Sequence, residues 1–348
     1  MSYVLGLDIG GANVKAVIID SRSNVLFRFR KYFPLWIVGK EALKDVLHEI
    51  YSHVKNGNYV VSTCMTAELC DIYNVKSEGV IHIAKTVLKV FHDAKDVFFV
   101  NTNCSLGSLE DLLKEPIKYA ATNWAANAWL LKKLCSNGIM IDIGSTSTSI
   151  VTVINGKIDI RGYTDPEKLI HGELVYTGVL RTNIATLVDK VPFKGYYARV
   201  CAEKFALTGD VHLVLGNITE QDYTTETANG RGRSLREAYA RIARVPCADV
   251  ELLNEYEIRE IARYVQEVQI FKIFEALMQI RSRIASMGID PDNFKVYTVG
   301  LGEFLVREAA RRAGFKEIIS IDDALGKKVS NILPAYASAL MALEESVV

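Results

Sequence analysis

The sequence predicts an α/β protein of two domains, and three observations lead there. A strand–Asp–x–Gly–strand–turn–strand pattern occurs twice, about 135 residues apart. Strand-type apolar runs alternate with amphipathic helical stretches in both halves. The chain has 348 residues, which suits two domains at roughly 150 residues each.

The first pattern opens with the apolar run Tyr3–Leu7, which ends in Asp8-Ile9-Gly10-Gly11. Val14–Ile19, rich in β-branched residues, and Asn24–Phe29 complete it. Glu41–Val54 carries Leu43, Val46, Leu47 and Ile50 on one helical face. Tyr59–Ser62 and Val97–Val100 read as strands, and Gly79–Phe91 and Ala120–Leu134 as helices. The pattern restarts with the strand Gly138–Ile141, which ends in Asp142-Ile143-Gly144-Ser145. Ser149–Ile154 and Lys157–Arg161 flank Asn155-Gly156, the signature of a two-residue hairpin turn. Residues 162–255 hold short helical stretches, a Tyr-rich patch and the polar segment Glu220–Ser234, and are expected to form a mainly helical insertion. Ile258–Met287 is a long amphipathic helix, Phe294–Val299 a strand entering Gly300-Leu301-Gly302, and Glu303–Ala313 a helix. Ile318–Ile321 is a last strand and Asn331–Glu345 a closing helix. The expected division is 1–135 and 136–348, with the insertion at about 162–255 in the second domain.

Hydrophobic residues make up 49% and charged residues 24%, with 41 basic against 41 acidic side chains. This balance supports buried cores and points away from nucleic-acid and membrane partners, leaving small molecules as the expected ligands. None of the six cysteines forms a CxxC pair, and scattered thiols of this kind predict a reduced, cytoplasmic chain without a zinc site. The N-terminus has neither the basic nor the apolar region of a signal peptide, and no apolar run is long enough to span a bilayer.

The chemistry concentrates in the two hairpins. In the first, Gly10 and Gly11 remove side chains from the turn, so that backbone N–H groups around Gly10, Gly11 and Ala12 can approach a phosphate closely, and Asn13 adds a polar side chain. Lys15 adds a positive charge. Asp8 repels a bare phosphate and makes sense there if it holds Mg²⁺, which bridges like charges. In the second, Asp142, Gly144, Ser145 and Thr146 repeat the logic with hydroxyls. Taken singly, either is as readily an ordinary polar hairpin; the pair is much less so. A third turn, Gly300 and Gly302, sits between a strand and a helix.

In this order the three elements resemble the phosphate 1, phosphate 2 and adenosine loops of the actin/sugar-kinase/Hsp70 superfamily. That resemblance implies two ribonuclease-H-like (actin-like ATPase) domains with a cleft between them. A narrower resemblance rests on LDIGGANVKA, MTAELCD, ATNWAANAW, DIGSTSTSI, GYTDPEKLIHGELVYTGVLRT, ETANGRGRS and VGLGEFLVREAARR. With these the chain is similar, nearly end to end, to the hydantoinase/oxoprolinase-like proteins of archaea and methylotrophs. It implies a transferase that joins an aminomethylfuran-methyl diphosphate to the phenol of γ-glutamyltyramine and releases diphosphate. Ser149 departs from the acidic residue that often follows the second hairpin in this family.

Such a reaction needs cations and N–H donors for the leaving diphosphate, and a base for the phenol. Asp8 and Asp142 are the expected Mg²⁺ ligands and Lys15 a fixed cation; ATP fits the same loops without being required. Glu68 and Glu173 are the candidate bases, the first alternatively a helix cap and the second alternatively a partner of Arg181. Arg181, Arg231 and Arg233 are candidate anion contacts, the last two in a stretch that otherwise reads as solvated loop. Arg161 is a further cleft candidate. Tyr176 and Trp124 suit ring stacking or a core, Asn123 and Asn127 the cleft or solvent, and His171 a structural hydrogen bond. The rivals are an ATP-dependent small-molecule kinase, which uses the same loops, and a nucleotide-binding actin relative without catalysis. A hydantoinase or oxoprolinase activity is disfavoured by the short chain.

Overall fold

The computed structural model describes residues 3–54 and 58–347. Its strands are β1 Tyr3–Ile9, β2 Asn13–Asp20, β3 Val25–Tyr32, β4 Tyr59–Met65, β5 Asp96–Val100, β6 Leu106–Gly107, β7 Gly138–Ile143, β8 Thr148–Ile154, β9 Lys157–Ile158, β10 Leu174–Val175, β11 Lys190–Phe193, β12 Tyr196–Arg199, β13 Lys295–Val299 and β14 Glu317–Ser320. Its α-helices are α1 Leu35–Val38, α2 Leu43–Tyr51, α3 Lys76–Val90, α4 Leu109–Lys114, α5 Asn123–Leu134, α6 Asp165–Ile170, α7 Thr208–Val214, α8 Leu235–Ala243, α9 Glu255–Ser286, α10 Glu303–Arg312, α11 Ile321–Leu325 and α12 Leu333–Val347.

The first sheet has the order β3-β2-β1-β4-β5-β6. The β1–β2–β3 meander is antiparallel, and β4 and β5 add in parallel beside β1. Parallel addition needs crossovers, which run through α2 and α3. The second sheet repeats the scheme as β10-β8-β7-β13-β14, with β9 also paired to β8 and β13 parallel to β14. Two sheets of this ribonuclease-H-like order give the chain the α/β fold of the actin-like ATPases and sugar kinases. The β8–β9 turn is the expected one, with Asn155 at φ 51 and Gly156 at φ 73.

The expected division needs correction. The chain does not divide at 135/136. Met1–Met140, Val151–Asp165 and Leu325–Val348 form one compact unit, and Ile141–Ile150 with Pro166–Ala324 the other. The closing helix thus belongs with the first half, and its small residues are the cause. Ala335, Ala337, Ser338, Ala339 and Ala342 are buried, and a Cβ on Gly6 of β1 would overlap the Ala335 carbonyl oxygen. Helix and strand therefore approach more closely than larger side chains allow, and Ser338 Oγ donates to the Ser62 carbonyl of β4 at 3.2 Å. The regular structure of the 162–255 segment is mainly helical, as expected, but strands lie among the helices. Besides α6, α7 and α8 it contains β10 and a two-stranded sheet of β11 and β12, turned through Lys194 and Gly195 at φ 49 and 83. Pro192 lies inside β11 and masks the strand, because proline in a strand pattern ordinarily argues against one.

Candidate functional site

Each unit carries one glycine hairpin braced by its neighbours. In the first, β1 and β2 place Asp8 directly opposite Lys15. The two form an ion pair of 3.0 Å in which Asp8 is buried and Lys15 partly exposed. Lys15 thereby neutralises the carboxylate that the sequence alone left exposed to a phosphate. The turn closes with Gly10 N–H donating to the Asn13 carbonyl at 2.9 Å, and it is tied onward by Phe33 N–H to Ala12 and Leu35 N–H to Gly11.

The MTAELC segment is fastened to the same turn. Thr66 N–H donates to Ile9 at 2.9 Å, and a Cβ on Gly11 would lie 2.7 Å from Cys70 Sγ. Glu68 lies in a single turn of 3₁₀ helix, Ala67–Leu69, and is 1% exposed. Its Oε1 accepts the Ala121 N–H at 2.9 Å, where Ala121 stands at φ 53. Among the described residues its Oε2 has no hydrogen-bond partner. Burial above all, with help from nearby Asp165 and against Lys76 and the backbone hydrogen bonds, holds this carboxyl up at about 7. Lys76 and Asp165 are themselves paired at 2.6 Å, so their effects on Glu68 largely offset. Glu68 does not cap the following helix; it holds the Ala121 turn.

In the second unit the hairpin closes in the same way, with Gly144 N–H donating to the Ser147 carbonyl at 3.0 Å. A Cβ on Gly144 would meet only the Ser147 carbonyl oxygen, at 3.8 Å, which leaves the turn open to an approaching anion. The segment 174–182 wraps the hairpin from outside. Val179 N–H donates to Gly144, and Leu180 and Arg181 N–H both donate to Ser145. Thr148 Oγ1 donates to the Thr177 carbonyl at 2.8 Å, and Arg181 Nη1 to Thr146 Oγ1 at 3.0 Å. Arg181 also lies 3.9 Å from Glu226.

The Gly300–Gly302 turn abuts the same point. Gly300 is at φ 95, and a Cβ there would overlap the Ile143 carbonyl oxygen and lie 3.3 Å from Asp142 Oδ1. Both the backbone conformation and the crowding require glycine. The structure thus brings Asp142, Gly144, Ser145, Thr146, Arg181, Gly300 and Gly302 together within this unit, and Asp8, Gly10, Gly11, Ala12, Asn13, Lys15 and Glu68 within the other.

Other candidates take different places. Glu173 is fully buried and pairs with Arg283 at 2.8 Å and Lys168 at 3.6 Å, not with Arg181. Trp124 is buried and Tyr176 exposed. Asn123 accepts the Trp124 N–H, and Asn127 is buried rather than solvent-facing. Arg161 is 3.6 Å from Asp159. Arg231 is exposed, and Arg233 Nε donates to the Thr225 carbonyl.

The loop around Arg231 is pinned by a residue the sequence did not single out. Buried Arg241 pairs with Asp210 at 2.7 Å and donates through Nη1 to the Gly232 carbonyl at 3.0 Å. No local spacing signals a pair 31 residues apart. Arg241→Met should destabilise the chain by about 3–5 kcal/mol, because it strands a buried carboxylate. Denaturant midpoints measure this, and Asp210→Leu added to Arg241→Met should recover much of the loss. Full stability in the single variant would rule out a structural role for the pair.

Among the described residues no group of three or more His, Cys, Asp or Glu side chains is placed to hold a metal. Each hairpin offers one carboxylate. That fits Mg²⁺, which takes one or two carboxylates and fills its remaining positions with water and phosphate oxygens. No helix among the described residues is long and apolar enough to cross a membrane.

The chain matches the family model for hydantoinase/oxoprolinase over residues 59–343. It is 33% identical over 338 residues, 97% of this chain and 96% of the other, to the (4-{4-[2-(gamma-L-glutamylamino)ethyl]phenoxymethyl}furan-2-yl)methanamine synthase of Methanocaldococcus jannaschii. A protein of the same name from Methanococcus vannielii is 33% identical over 212 residues, 60% of this chain and 92% of the other. In fold it is similar to acetone carboxylase in its nucleotide-free structure, with a TM-score of 0.59 at 12% identity over 97% of this chain and 70% of that one. Sheet order, hairpins and full-length likeness agree: the chain belongs to the hydantoinase/oxoprolinase family.

Proposed function

We propose that this chain is a transferase of methanofuran biosynthesis that joins an aminomethylfuran-methyl diphosphate to the phenol of γ-glutamyltyramine. The observation that carries this reading is the 33% identity, over nearly the whole of both chains, to the Methanocaldococcus jannaschii synthase. That synthase is named for a phenoxymethyl ether between the two partners. The phenol oxygen attacks the furanylmethyl carbon, the bond from that carbon to the diphosphate oxygen breaks, diphosphate leaves with the electron pair, and the phenol proton goes to a base.

The residues suit these demands. The open turn at Gly144, with the Ser145 and Thr146 hydroxyls and the Arg181 guanidinium, offers donors and positive charge to a leaving diphosphate. In the other unit the Gly10–Asn13 turn offers backbone donors, and Lys15, paired to Asp8 at 3.0 Å, would turn to phosphate oxygens where a metal takes that carboxylate. Mg²⁺, held by Asp142 and by Asp8 at their respective hairpins, would supply charge neutralisation to phosphate oxygens. Glu68 is the better base of the two candidates. It ionises at about 7 and has an oxygen with no partner among the described residues, whereas both oxygens of Glu173 face cations. That carboxyl is buried, so a phenol reaches it only with a local opening of the chain around it. Arg231, exposed at the Asn229–Ser234 loop, suits the glutamyl carboxylate.

The test is incubation of the purified chain with the furanmethyl diphosphate, γ-glutamyltyramine and Mg²⁺. The aryl ether, detected by mass spectrometry, should appear together with an equal amount of pyrophosphate. Asp8→Ala and Asp142→Ala should each lower kcat by roughly 100-fold or more, the usual cost of losing one electrostatic contact to the departing group. Release of ADP from ATP with phosphorylation of a substrate, and no ether, would instead identify a kinase.

A further inference from the structure

A polar chain runs from exposed Asn217 into the interior behind the second hairpin, and its buried members have no direct part in the reaction. Gln269 comes from the middle of α9 and is fully buried. Its Nε2 donates to Thr177 Oγ1 at 2.8 Å and to the Gly178 carbonyl at 2.8 Å. A carbonyl only accepts, so the amide nitrogen must face Gly178 and the amide oxygen must face away. That oxygen lies 2.9 Å from Nε2 of His212, on α7. His212 Nε2 therefore carries a proton, and Nδ1 is left to accept from Asn217 Nδ2 at 3.3 Å. This is the neutral tautomer, and complete burial keeps it neutral by pushing the imidazole down to about 4. The ring of Phe304 closes the site edge-on at 5.0 Å.

Gly178 is where the chain acts. Its carbonyl also accepts from Thr208 Oγ1 at 2.9 Å, and its N–H donates to Thr182 Oγ1 at 3.0 Å. Its bare α-carbon faces the backbone of Ser145 and Thr146, where a Cβ would come within 2.5 Å. The next three residues donate their N–H groups to Gly144 and Ser145. Burying an imidazole and a primary amide is costly unless each group is paired, and an apolar contact would join α9 to α7 without that cost. The polar chain provides direction: its hydrogen bonds allow one orientation of the Gly178 peptide, and that peptide supports the turn.

We propose that His212 and Gln269 are positioning residues, a relay that fixes the Gly178 peptide against the Ser145–Thr146 turn and so sets the donor geometry that turn presents to a diphosphate. The inference rests on the diphosphate reading of the second hairpin. It predicts that loss of the relay weakens diphosphate binding and turnover without contact to any substrate.

The variants His212→Phe, which fills the site but cannot donate, Gln269→Met, and His212→Gln, which restores a donor at the same reach, separate the outcomes in the full-length chain. Calorimetry with inorganic pyrophosphate and Mg²⁺ should give Kd values about tenfold weaker for His212→Phe and Gln269→Met, and near wild type for His212→Gln. Hydrogen exchange of residues 177–182 should accelerate about tenfold in the first two and recover in the third. Unchanged exchange in His212→Phe and Gln269→Met overturns the relay whatever the ligand. Faster exchange with wild-type pyrophosphate affinity shows that the relay does not position the turn for the ligand, and overturns the proposal. A wild-type chain that does not bind pyrophosphate overturns the diphosphate reading, and with it the assigned purpose of the relay.

Discussion

Gly178→Ala should lower kcat/KM by about 100-fold or more while the chain remains folded. The added methyl would stand 2.5 Å from the carbonyl carbons of Ser145 and Thr146 and from the Thr146 nitrogen. These are backbone atoms, which cannot swing aside as a side chain can. Gly178 cannot retreat either, because its carbonyl and N–H are held by Gln269, Thr208 and Thr182. Relief must come from a shift of the hairpin, and a displacement of roughly 1 Å in a positioned group is enough to cost about 100-fold in rate. The stability cost should be the ordinary one for overpacking, about 1–3 kcal/mol. Steady-state kinetics and an unfolding curve on the same preparation measure both. Gly144→Ala is the informative contrast. A Cβ there meets only one atom, at 3.8 Å, so folding should be untouched while pyrophosphate binding weakens. Wild-type turnover in Gly178→Ala would mean that the turn is not held by this contact.

These effects show which parts of the site a sequence can announce. The Asp-x-Gly pattern was readable because hairpin and phosphate chemistry are local: Asp8 to Lys15 and Asp142 to Thr146 each fit within one turn and its flanking strands. The Asn155-Gly156 turn was readable for the same reason. What holds the hairpins is not local. Gln269 lies 57 residues from His212, Glu173 lies 110 residues from Arg283, and Glu68 lies 53 residues from the backbone N–H it accepts. No periodicity links such partners, since either member alone looks like a solvated polar residue. The Lys15–Asp8 pair was missed for a different reason: both residues were assigned to the ligand, although the antiparallel register sets them opposite each other. The same register would have paired them before any ligand was considered. The closing helix itself was readable, but the unit it joins was not, because its alanines carry no strong amphipathic signal, and only the facing Gly6 explains why they pack where they do.

Glu68→Gln should move two measurements in opposite directions. At pH 8 turnover should fall by about 100-fold to 10,000-fold, the usual worth of a positioned base. The wild-type profile of kcat/KM should rise with an ascending limb near 7, where this carboxyl ionises, and the variant should lose that limb. Stability should change the other way. The folded carboxyl titrates at about 7 and the unfolded one near 4.5, so between those values the folded chain binds the extra proton. Stability from the protonated form is therefore complete below pH 4.5 and is lost as pH rises through 7, to a total of about 3 kcal/mol by pH 8. A glutamine keeps an acceptor for the Ala121 N–H and never ionises. The variant should match wild type near pH 4.5 and exceed it by about that amount at pH 8, as read from denaturant midpoints at the two pH values. Retained turnover with the predicted gain in stability would leave Glu68 a buried strut and send the search for the base elsewhere. Lost turnover without any pH-dependent gain would mean that the carboxyl is ionised well below neutrality and serves by holding the Ala121 turn. Only the combination of lost turnover and gained stability fits a base whose readiness near neutral pH is maintained by burial at the expense of the fold.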